Sequence, residues 1–286
     1  MTGNHPSLAT LLKKYDLRPR KGLGQNFLAD PFHLEKIVEA ADLSPADVVL
    51  EIGPGPGTLT RLLAERAGQV IAVELDPAMV NLLRQEYSHF ENLTVVEADI
   101  LATNIETLLA NSLPAPREAS LLPTYKVVAN LPYYITSAVV RHLLESRPAP
   151  TRLVVMVQKE VGQRMVAEPG KMSVLAVSVQ FYGQAQLVHH VPAEAFYPPP
   201  KVDSAVVRID TFAEPLVPVA DVDHFFRVVK AGFGQKRKQL KNSLTAGLSK
   251  KSAEIVAALD QAGLDPTRRA ETLSLAEWGR LVEALA

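Results

Sequence analysis

The chain has 286 residues, of which 47% are apolar and 21% charged, with a formal net charge of −1 and no cysteine. These values are typical of a folded globular protein, and the length allows one large domain with or without a smaller one. Because there is no cysteine, the sequence excludes disulfides, cysteine-based zinc sites, iron–sulfur clusters and thiolate nucleophiles. No apolar run is long enough to span a bilayer, and the first ten residues lack the basic-then-apolar order of a secretory signal. The sequence therefore predicts a cytoplasmic protein without a membrane span.

The first half of the chain alternates short apolar runs with amphipathic stretches. A helix is predicted after Asp30, which precedes Pro31 as an N-cap precedes a proline at the first helical position. Strands are predicted at 47–53, 69–76, 93–100, 125–132 and 151–158, with helical patterns between them. Strands that alternate with helices predict a mostly parallel sheet covered on both faces.

The pattern changes after about residue 170. The segments "KMSVLAVSVQFYGQAQLVHHVP" (171–192) and "SAVVRIDTF" (204–212) are rich in β-forming residues and predict late strands of the same sheet, some of them antiparallel. Residues 212–221 carry two prolines and predict a linker. Helical patterns follow at 222–234, 236–249, 252–262 and 274–285. The predicted organisation is an α/β domain over residues 1–212 and a small helical domain over residues 213–286.

The stretch "EIGPGPGTLT" (51–60) places three glycines where a predicted strand turns into a helix. Glycine at 53, 55 and 57 lets the backbone approach a ligand, but the spacing is not the G-x-G-x-x-G of a dinucleotide site. Glu74 ends the next strand, where a carboxylate can reach a ribose diol, and Asp99 ends the third, where one can accept a bond from an adenine amino group. The three features predict an adenosine ligand without phosphates, which points to S-adenosylmethionine. Helix-capping acids beside a tight turn are the alternative interpretation.

The motifs resemble those of known methyltransferases. "EIGPGPGTLT", "VIAVELD", "ADIL" and "NLPY" are similar to the successive motifs of the class I methyltransferases, which implies a Rossmann-like sheet. "GLGQNFLAD", "VANLPYYIT", "MVQKEVGQRMVA", "AFYPPPKVDSAVVRI", "FGQKRKQLKNSL" and "RAETLSLAEW" resemble, in order, the ribosomal RNA adenine N6-dimethyltransferases. The resemblance covers most of the chain and is strongest to the bacterial small-subunit branch.

This resemblance implies a reaction and its residues. S-Adenosylmethionine would be the cofactor, and the product would be N6,N6-dimethyladenosine at two adjacent positions near the 3′ end of 16S rRNA in the 30S subunit or its precursor. The implied cofactor-binding residues are Asn26, Leu28, Gly53, Gly55, Glu74, Asp99 and Asn130. The implied catalytic residues are Asn130, Leu131, Pro132, Tyr133 and Phe196.

The physics of N6 methylation explains the Asn-Leu-Pro-Tyr motif. The N6 lone pair is conjugated into the adenine ring and is a poor nucleophile. If the Asn130 side-chain oxygen and the Leu131 carbonyl accept the N6 hydrogens, the nitrogen can move toward sp³ geometry, and Pro132 helps to aim that carbonyl. Tyr133 and Phe196 would stack on the two faces of the extruded base. For Tyr134, simple packing beside a turn is the preferred interpretation.

Two basic clusters predict an RNA-binding surface. Residues 227–251 carry eight Lys or Arg and no acid, and residues 13–21 carry five basic residues and one acid. The segment from residue 235 is predicted to open a helix with a cationic face, although a solvated helix face is the commoner meaning of such a run. The predicted RNA-binding residues are Arg18, Arg20, Lys21, Lys236, Arg237, Lys238 and Lys241.

Several alternatives stay open at this point. A non-catalytic ribosome-assembly factor could keep the same fold, and an adenine methylase of large-subunit RNA or of DNA would share the motif. An NAD-dependent dehydrogenase fails on the glycine spacing. His189 and His190 suggest a metal site, but no partner is spaced for one, so no metal is predicted. The expected state is a monomer.

Overall fold

The structure is a computed structural model, which describes residues 7–113 and 124–286 apart from the side chain of Lys21. Its first part has helix α1 (Leu8–Lys14) and the two-residue strand β1 (Phe27–Leu28), and then alternates helices and strands. These elements are α2 (Pro31–Ala41), β2 (Val48–Ile52), α3 (Thr58–Ala64), β3 (Gln69–Glu74), α4 (Pro77–Glu86), β4 (Leu93–Glu97), α5 (Ile105–Ser112), β5 (Tyr125–Asn130), α6 (Thr136–Leu144) and β6 (Arg152–Gln158). The predicted cap of α2 is confirmed, because the Asp30 side chain accepts a hydrogen bond from the Phe32 amide at 2.8 Å.

The later elements are α7 (Lys159–Met165), α8 (Val174–Tyr182), β7 (Gly183–Val191), β8 (Phe196–Tyr197) and β9 (Ser204–Thr211). One seven-stranded sheet has the order β4-β3-β2-β5-β6-β9-β7, and β1 pairs with β8 in a separate two-stranded sheet. Strands β2 to β6 run parallel, whereas β9 is antiparallel to β6. The predicted mostly parallel sheet with late antiparallel pairing is thus confirmed.

The order of the strands determines where a ligand can bind. Strand β2 lies between β3 and β5, so the chain moves outward to β4 on one side of β2 and then continues with β5 on the other side. In open α/β sheets the crevice for a ligand lies beyond the carboxyl ends of the strands at such a switch point. The carboxyl ends of β2, β3 and β5 carry the glycine turn, Glu74 and Asn130.

The segment 174–182 is a helix, and the prediction of a strand there was wrong. Helix α8 buries most of its side chains, among them Leu175, Val177, Val179 and Phe181. A helix that is apolar on all sides has no helical period in its sequence, and its β-branched residues then suggest a strand. The Ser173 side chain caps this helix by accepting from the Ala176 amide at 3.2 Å.

The chain divides into two compact units. The first comprises residues 1–162 and 186–211, and the second comprises residues 163–185 and 212–286. The second contains α9 (Val222–Phe233), α10 (Leu240–Leu248), α11 (Ser252–Gln261) and α12 (Leu275–Ala284) around a core with Phe181, Phe225 and Trp278. The predicted boundary at residues 212/213 remains a prediction. Residues 163–185 and residue 212 fall in the first predicted domain but in the second compact unit.

The basic segment before α10 has a different backbone from the one predicted. Residues 234–238 form turns, and α10 begins only at Leu240, whose amide donates to the Arg268 carbonyl at 2.7 Å. The predicted helix from residue 236 was therefore wrong at its start, and Lys236, Arg237 and Lys238 lie on an exposed turn. In the part of the chain that the structure describes, no helix has the length and apolar character needed to cross a bilayer.

Candidate active site

A cleft of about 790 Å³, a volume that includes open solvent, lies at the carboxyl ends of β2, β3 and β5. Its lining includes most of the residues predicted from the sequence, namely Asn26, Gly53, Gly55, Glu74, Asp99, Asn130, Leu131, Pro132 and Tyr133. All of them belong to the first unit.

The glycine turn after β2 has a backbone that favours glycine at two positions facing the cleft. Gly53 has φ +65° and Gly55 has φ +55°, backbone angles that residues other than glycine rarely adopt. A Cβ atom at Gly55 would lie 2.8 Å from the ring of Phe27. Phe27 therefore packs directly on the turn and helps to line the cleft, a contact that the sequence did not indicate.

Glu74 has its carboxylate fixed by backbone amides. Oε2 accepts from the Gly55 amide at 3.0 Å, and Oε1 accepts from the amides of Leu75 and Asp76 at 2.9 and 2.8 Å. Burial raises the pKa of the Glu74 carboxyl, whereas the three amide bonds oppose that rise. Oε2 keeps capacity for a further hydrogen bond toward the cleft, as a ribose hydroxyl requires.

Asp99 belongs to another part of the lining. Its Oδ1 accepts from the Leu101 amide at 2.9 Å, which caps the short 3₁₀ turn that follows β4. The residue is exposed, so its second oxygen is accessible to a ligand amino group. The apolar side chains of Val73, Leu75 and Ile100 complete this part of the lining and form a surface suited to a flat ring.

The side-chain amide of Asn130 is hydrogen-bonded to the backbone of Asn26. Asn130 Nδ2 donates to the Asn26 carbonyl at 3.2 Å, and Asn26 Nδ2 donates to the Gly24 carbonyl, also at 3.2 Å. Because a carbonyl can only accept, the nitrogen of the Asn130 amide must face Asn26, and its oxygen must face the other way. Asn26 thus orients Asn130 through its backbone.

The residues after Asn130 form a compact loop before α6. The Leu131 amide donates to the Met156 carbonyl at 3.2 Å, and the Pro132 carbonyl accepts from the Ile135 amide at 3.2 Å. The Tyr133 hydroxyl lies 2.8 Å from the Ser204 hydroxyl, and burial raises the pKa of Tyr133. The loop is therefore tied both to the sheet and to the start of α6.

Two predicted residues lie outside the cleft lining. Leu28 and Phe196 are 2% and 4% exposed and belong to one core cluster with Leu34 and Ile37. The successive residues of β1 point to opposite faces, so Phe27 lines the cleft and Leu28 does not; the cofactor-binding role of Leu28 stays a prediction. Phe196 packs inward in this arrangement, and its ring does not flank the cleft; its catalytic role stays a prediction.

Tyr134 also differs from the sequence-based interpretation. Packing beside a turn was preferred for it, yet its side chain is 62% exposed at the edge of the cleft. A Cβ atom at Gly24 would lie 3.2 Å from its ring, so the ring lies against the Gly24 backbone. Tyr134 is therefore an exposed aromatic residue beside the proposed reaction site.

The predicted RNA-binding residues are mostly accessible to solvent. Arg20 forms an ion pair with the buried Asp76 at 3.0 Å while its side chain stays 57% exposed. Gln25 Nε2 donates to the same carboxylate at 3.2 Å. The side chain of Lys21 lies outside the described part of the chain. Of the other members of the set, Lys241 is half-buried, and the rest are exposed: Arg18, Lys236, Arg237 and Lys238.

The histidines singled out in the sequence bond to separate partners. His189 Nε2 lies 2.8 Å from His33 Nδ1, and His190 Nε2 lies 3.0 Å from the Asp203 carboxylate. Over residues 7–113 and 124–286, no group of three or more His, Asp or Glu side chains could hold a metal ion.

Comparisons with known proteins identify the family of this chain. The family model described as ribosomal RNA adenine dimethylase matches residues 17–286. The ribosomal RNA small subunit methyltransferase A of Dehalococcoides mccartyi is 48% identical over 271 residues, which cover 95% of this chain and 90% of that protein. The enzyme of the same name from Moorella thermoacetica is 45% identical over 277 residues, with coverages of 96% and 95%.

Two solved structures share the fold. A dimethyladenosine transferase from Plasmodium falciparum has a TM-score of 0.72 at 26% identity, covering 89% of this chain and 95% of that one. The 23S rRNA methyltransferase ErmE has a TM-score of 0.68 at 34% identity, with coverages of 91% and 99%.

Proposed function

The chain belongs to the ribosomal RNA adenine dimethylase family, and we propose that it dimethylates N6 of two adjacent adenosines near the 3′ end of 16S rRNA. S-Adenosylmethionine would be the methyl donor, and the small ribosomal subunit or its precursor would carry the RNA. The observation that supports this reaction best is the orientation of the Asn130 amide, whose oxygen faces away from Asn26.

The choice of the small subunit rests on the relatives. The proteins that are 48% and 45% identical carry the name of a small-subunit methyltransferase, whereas the large-subunit enzyme ErmE is 34% identical. All three matches cover more than nine-tenths of this chain, so the difference in identity is not caused by coverage. Large-subunit RNA is therefore the less favoured substrate.

The residues of the cleft fit the methyl donor. The carboxylate of Glu74 would bind the ribose hydroxyls, Asp99 would accept a hydrogen bond from the adenine amino group, and the backbone at Gly53 and Gly55 would allow close approach. Asn26, whose carbonyl orients Asn130, would cover the methionine part. When bound, S-adenosylmethionine supplies a methyl group whose transfer forms a carbon–nitrogen bond at N6 as the carbon–sulfur bond breaks.

The contribution of the protein is positioning. Asn130 Oδ1 and the Leu131 carbonyl would each accept one N6 hydrogen, so that the nitrogen moves toward sp³ geometry and its lone pair, no longer delocalised into the ring, points at the methyl group. Tyr133 would hold the extruded base by stacking. After the first transfer N6 carries a single hydrogen, so only one of the two acceptors can bind it and the other must tolerate a methyl group.

The basic residues would supply contacts to phosphates that do not depend on sequence. Arg18, Arg20 and Lys21 in the first unit and the turn from Lys236 to Lys238 in the second carry this charge. Sequence selection would then come from the shape of the RNA and from the flipped base.

The deciding experiment uses labelled S-adenosylmethionine. The protein is incubated with 30S subunits from a strain that lacks the modification, with 50S subunits as the control, and the label is mapped. Dimethyladenosine at two neighbouring positions near the 3′ end of 16S rRNA is the expected product. Label on 50S alone would favour a large-subunit enzyme, and tight binding without label would favour a non-catalytic assembly factor.

A further inference from the structure

The ring of Tyr133 is held at its far end by a buried serine. The hydroxyls of Tyr133 and Ser204 are 2.8 Å apart, and Ser204 is 0% exposed. Tyr133 is half-buried, and it lines the cleft beside Asn130. The ring therefore contributes to the reaction site while its hydroxyl reaches a partner in the sheet.

Ser204 is itself fixed by the sheet. It is the first residue of β9 and lies opposite Gln158 in the antiparallel pairing with β6. Just before it, the Asp203 carbonyl accepts a hydrogen bond from the Lys159 amide at 3.0 Å, and the Asp203 carboxylate accepts one from the Ala193 amide at 3.2 Å. A hydroxyl in this position has little freedom to move.

These contacts give a role to a sequence block that the proposed reaction does not otherwise use. The stretch "KVDSAVV" (201–207) contributes no side chain to the cleft lining. We propose that Ser204 is a positioning residue, whose hydroxyl fixes the Tyr133 ring in the orientation that the methyl-transfer step requires. This inference rests on the proposed function, because the ring needs a fixed orientation only if it holds the target base.

The physical reason is the mobility of an unanchored ring. Tyr133 lies in a loop, and its side chain rotates about two bonds, so its position depends on what its ends contact. A hydrogen bond at the hydroxyl restricts both rotations at once and leaves the ring face free for a base. Reacting groups must be held within roughly half an ångström of the productive geometry, so small losses of ring order reduce the rate of the chemical step.

The test compares Ser204→Ala, Tyr133→Phe and the double variant on 30S subunits, with kcat, KM and cofactor affinity measured separately. A net hydrogen bond of this kind corresponds to about a 3- to 10-fold decrease in kcat for each single variant. The double variant should be no slower than the slower single variant, within about twofold, because both changes remove the same bond. The KM for 30S subunits and the affinity for S-adenosylhomocysteine should stay within about twofold of the wild-type values.

Controls separate this role from loss of folding and from failure of the proposed function. Ser178→Ala removes a buried serine hydroxyl in the second unit and should leave kcat unchanged. Thermal unfolding of each variant reports whether a loss of activity follows a loss of structure, and Tyr133→Phe tests the bond from its other end if Ser204→Ala does not fold. Unchanged kcat in both single variants, or additive losses in the double variant, would overturn the inference. An inactive wild-type protein would instead contradict the proposed function.

Discussion

The side-chain amide of Asn130 is held by one of its two polar atoms. Its Nδ2 donates to the Asn26 carbonyl at 3.2 Å, and its Oδ1 faces the other side of the amide. Two substitutions can therefore separate the loss of the whole amide from the loss of its donor alone. Asn130→Ala removes both atoms, whereas Asn130→Asp keeps an acceptor and, when ionised, cannot donate to Asn26.

We expect both Asn130 variants to lower kcat by about 100-fold or more, because a misplaced acceptor leaves the N6 lone pair delocalised into the adenine ring. The affinity for S-adenosylhomocysteine should change much less, since Glu74 and Asp99 are untouched. Single-turnover methylation of 30S subunits and calorimetric titration of the cofactor product measure the two effects. Wild-type turnover by Asn130→Asp would show that the bond to Asn26 is not needed.

Glu51 is a buried acid at the penultimate position of β2, just before the glycine turn. It is 1% exposed, and its Oε2 has no hydrogen-bond partner among the described residues. Burial, with a smaller effect from the nearby Glu74, raises the pKa of Glu51 to about 8. The side chain is therefore mostly neutral at physiological pH in the folded protein, whereas it is ionised in the unfolded chain.

This difference predicts the direction of a pH effect. Between the unfolded pKa of 4.5 and the folded pKa of about 8, the folded state holds the proton and the unfolded state does not. The free energy of unfolding should therefore fall as the pH rises through this window, by at most about 1.4 kcal/mol per pH unit from this group. Glu51→Gln, which cannot ionise, should lose that slope.

Urea unfolding of both proteins at several pH values between about 5 and 9 measures the difference. The variant should gain stability relative to wild type as the pH rises, and the difference should level off above about pH 8. Parallel curves across the whole range would mean that Glu51 is ionised in the folded protein. The comparison cancels the other titrating groups, because both proteins share them.

The helices and strands differ in how well their positions can be predicted from the sequence. The strands β2, β3 and β5 are short apolar runs bounded by turn residues, and their positions could be predicted. Helix α8 could not, because an element that is apolar on all sides carries no period to distinguish helix from strand. The start of α10 was also misplaced, since Lys, Arg and Gln favour a helix in isolation while the Leu240 amide bonds to the Arg268 carbonyl.

The basic turn between α9 and α10 allows a prediction about RNA binding. Replacing Lys236, Arg237 and Lys238 by Gln should weaken RNA binding and flatten its salt dependence, because fewer counterions are released. The slope of log K against log salt is negative, and its magnitude should decrease by about 0.7 to 0.9 for each phosphate that is no longer neutralised. Binding to 30S subunits over a range of KCl concentrations provides the slope.

The control for this turn is a lysine outside the predicted set. Lys171 is exposed in the second unit, and Lys171→Gln should leave the slope as it is in the wild type. Lys236→Gln alone is the matched single variant. An unchanged slope in the triple variant would mean that the turn is only solvated.

At the scale of the molecule, the class of fold and the chemistry of the cleft were easier to predict than the packing around it. The glycine turn, Glu74, Asp99 and Asn130 were predicted because each follows or ends a strand, and parallel strands bring their carboxyl ends together. The inward packing of Leu28 and Phe196 could not be predicted, since the face that a side chain takes in a two-residue strand depends on its partner strand. Ser204 was missed because its contact with Tyr133 joins residues 71 positions apart.

The two compact units allow a last prediction about ligand binding. The residues of the cleft lining that are proposed to bind the methyl donor belong to the first unit, whereas the helices α9 to α12 and the core around Trp278 belong to the second. Ligand binding to the folded state lowers the population of locally opened forms of the segments that contact it. S-Adenosylhomocysteine should therefore slow amide hydrogen exchange in residues 23–27, in the glycine turn and in the loop from Asn130 to Ile135. The helices α9 to α12 should change little.

Hydrogen exchange measured by mass spectrometry, with and without S-adenosylhomocysteine, resolves these peptides in the full chain. Asp99→Ala is the matched variant, because it removes the acceptor proposed for the adenine amino group, and at the same ligand concentration it should reduce the protection in all three segments together. Protection that spreads equally over α9 to α12 would contradict a cofactor site confined to the first unit. Protection limited to the glycine turn would instead assign the loop after Asn130 to the RNA substrate alone, since a segment that does not contact the ligand has no reason to open less often.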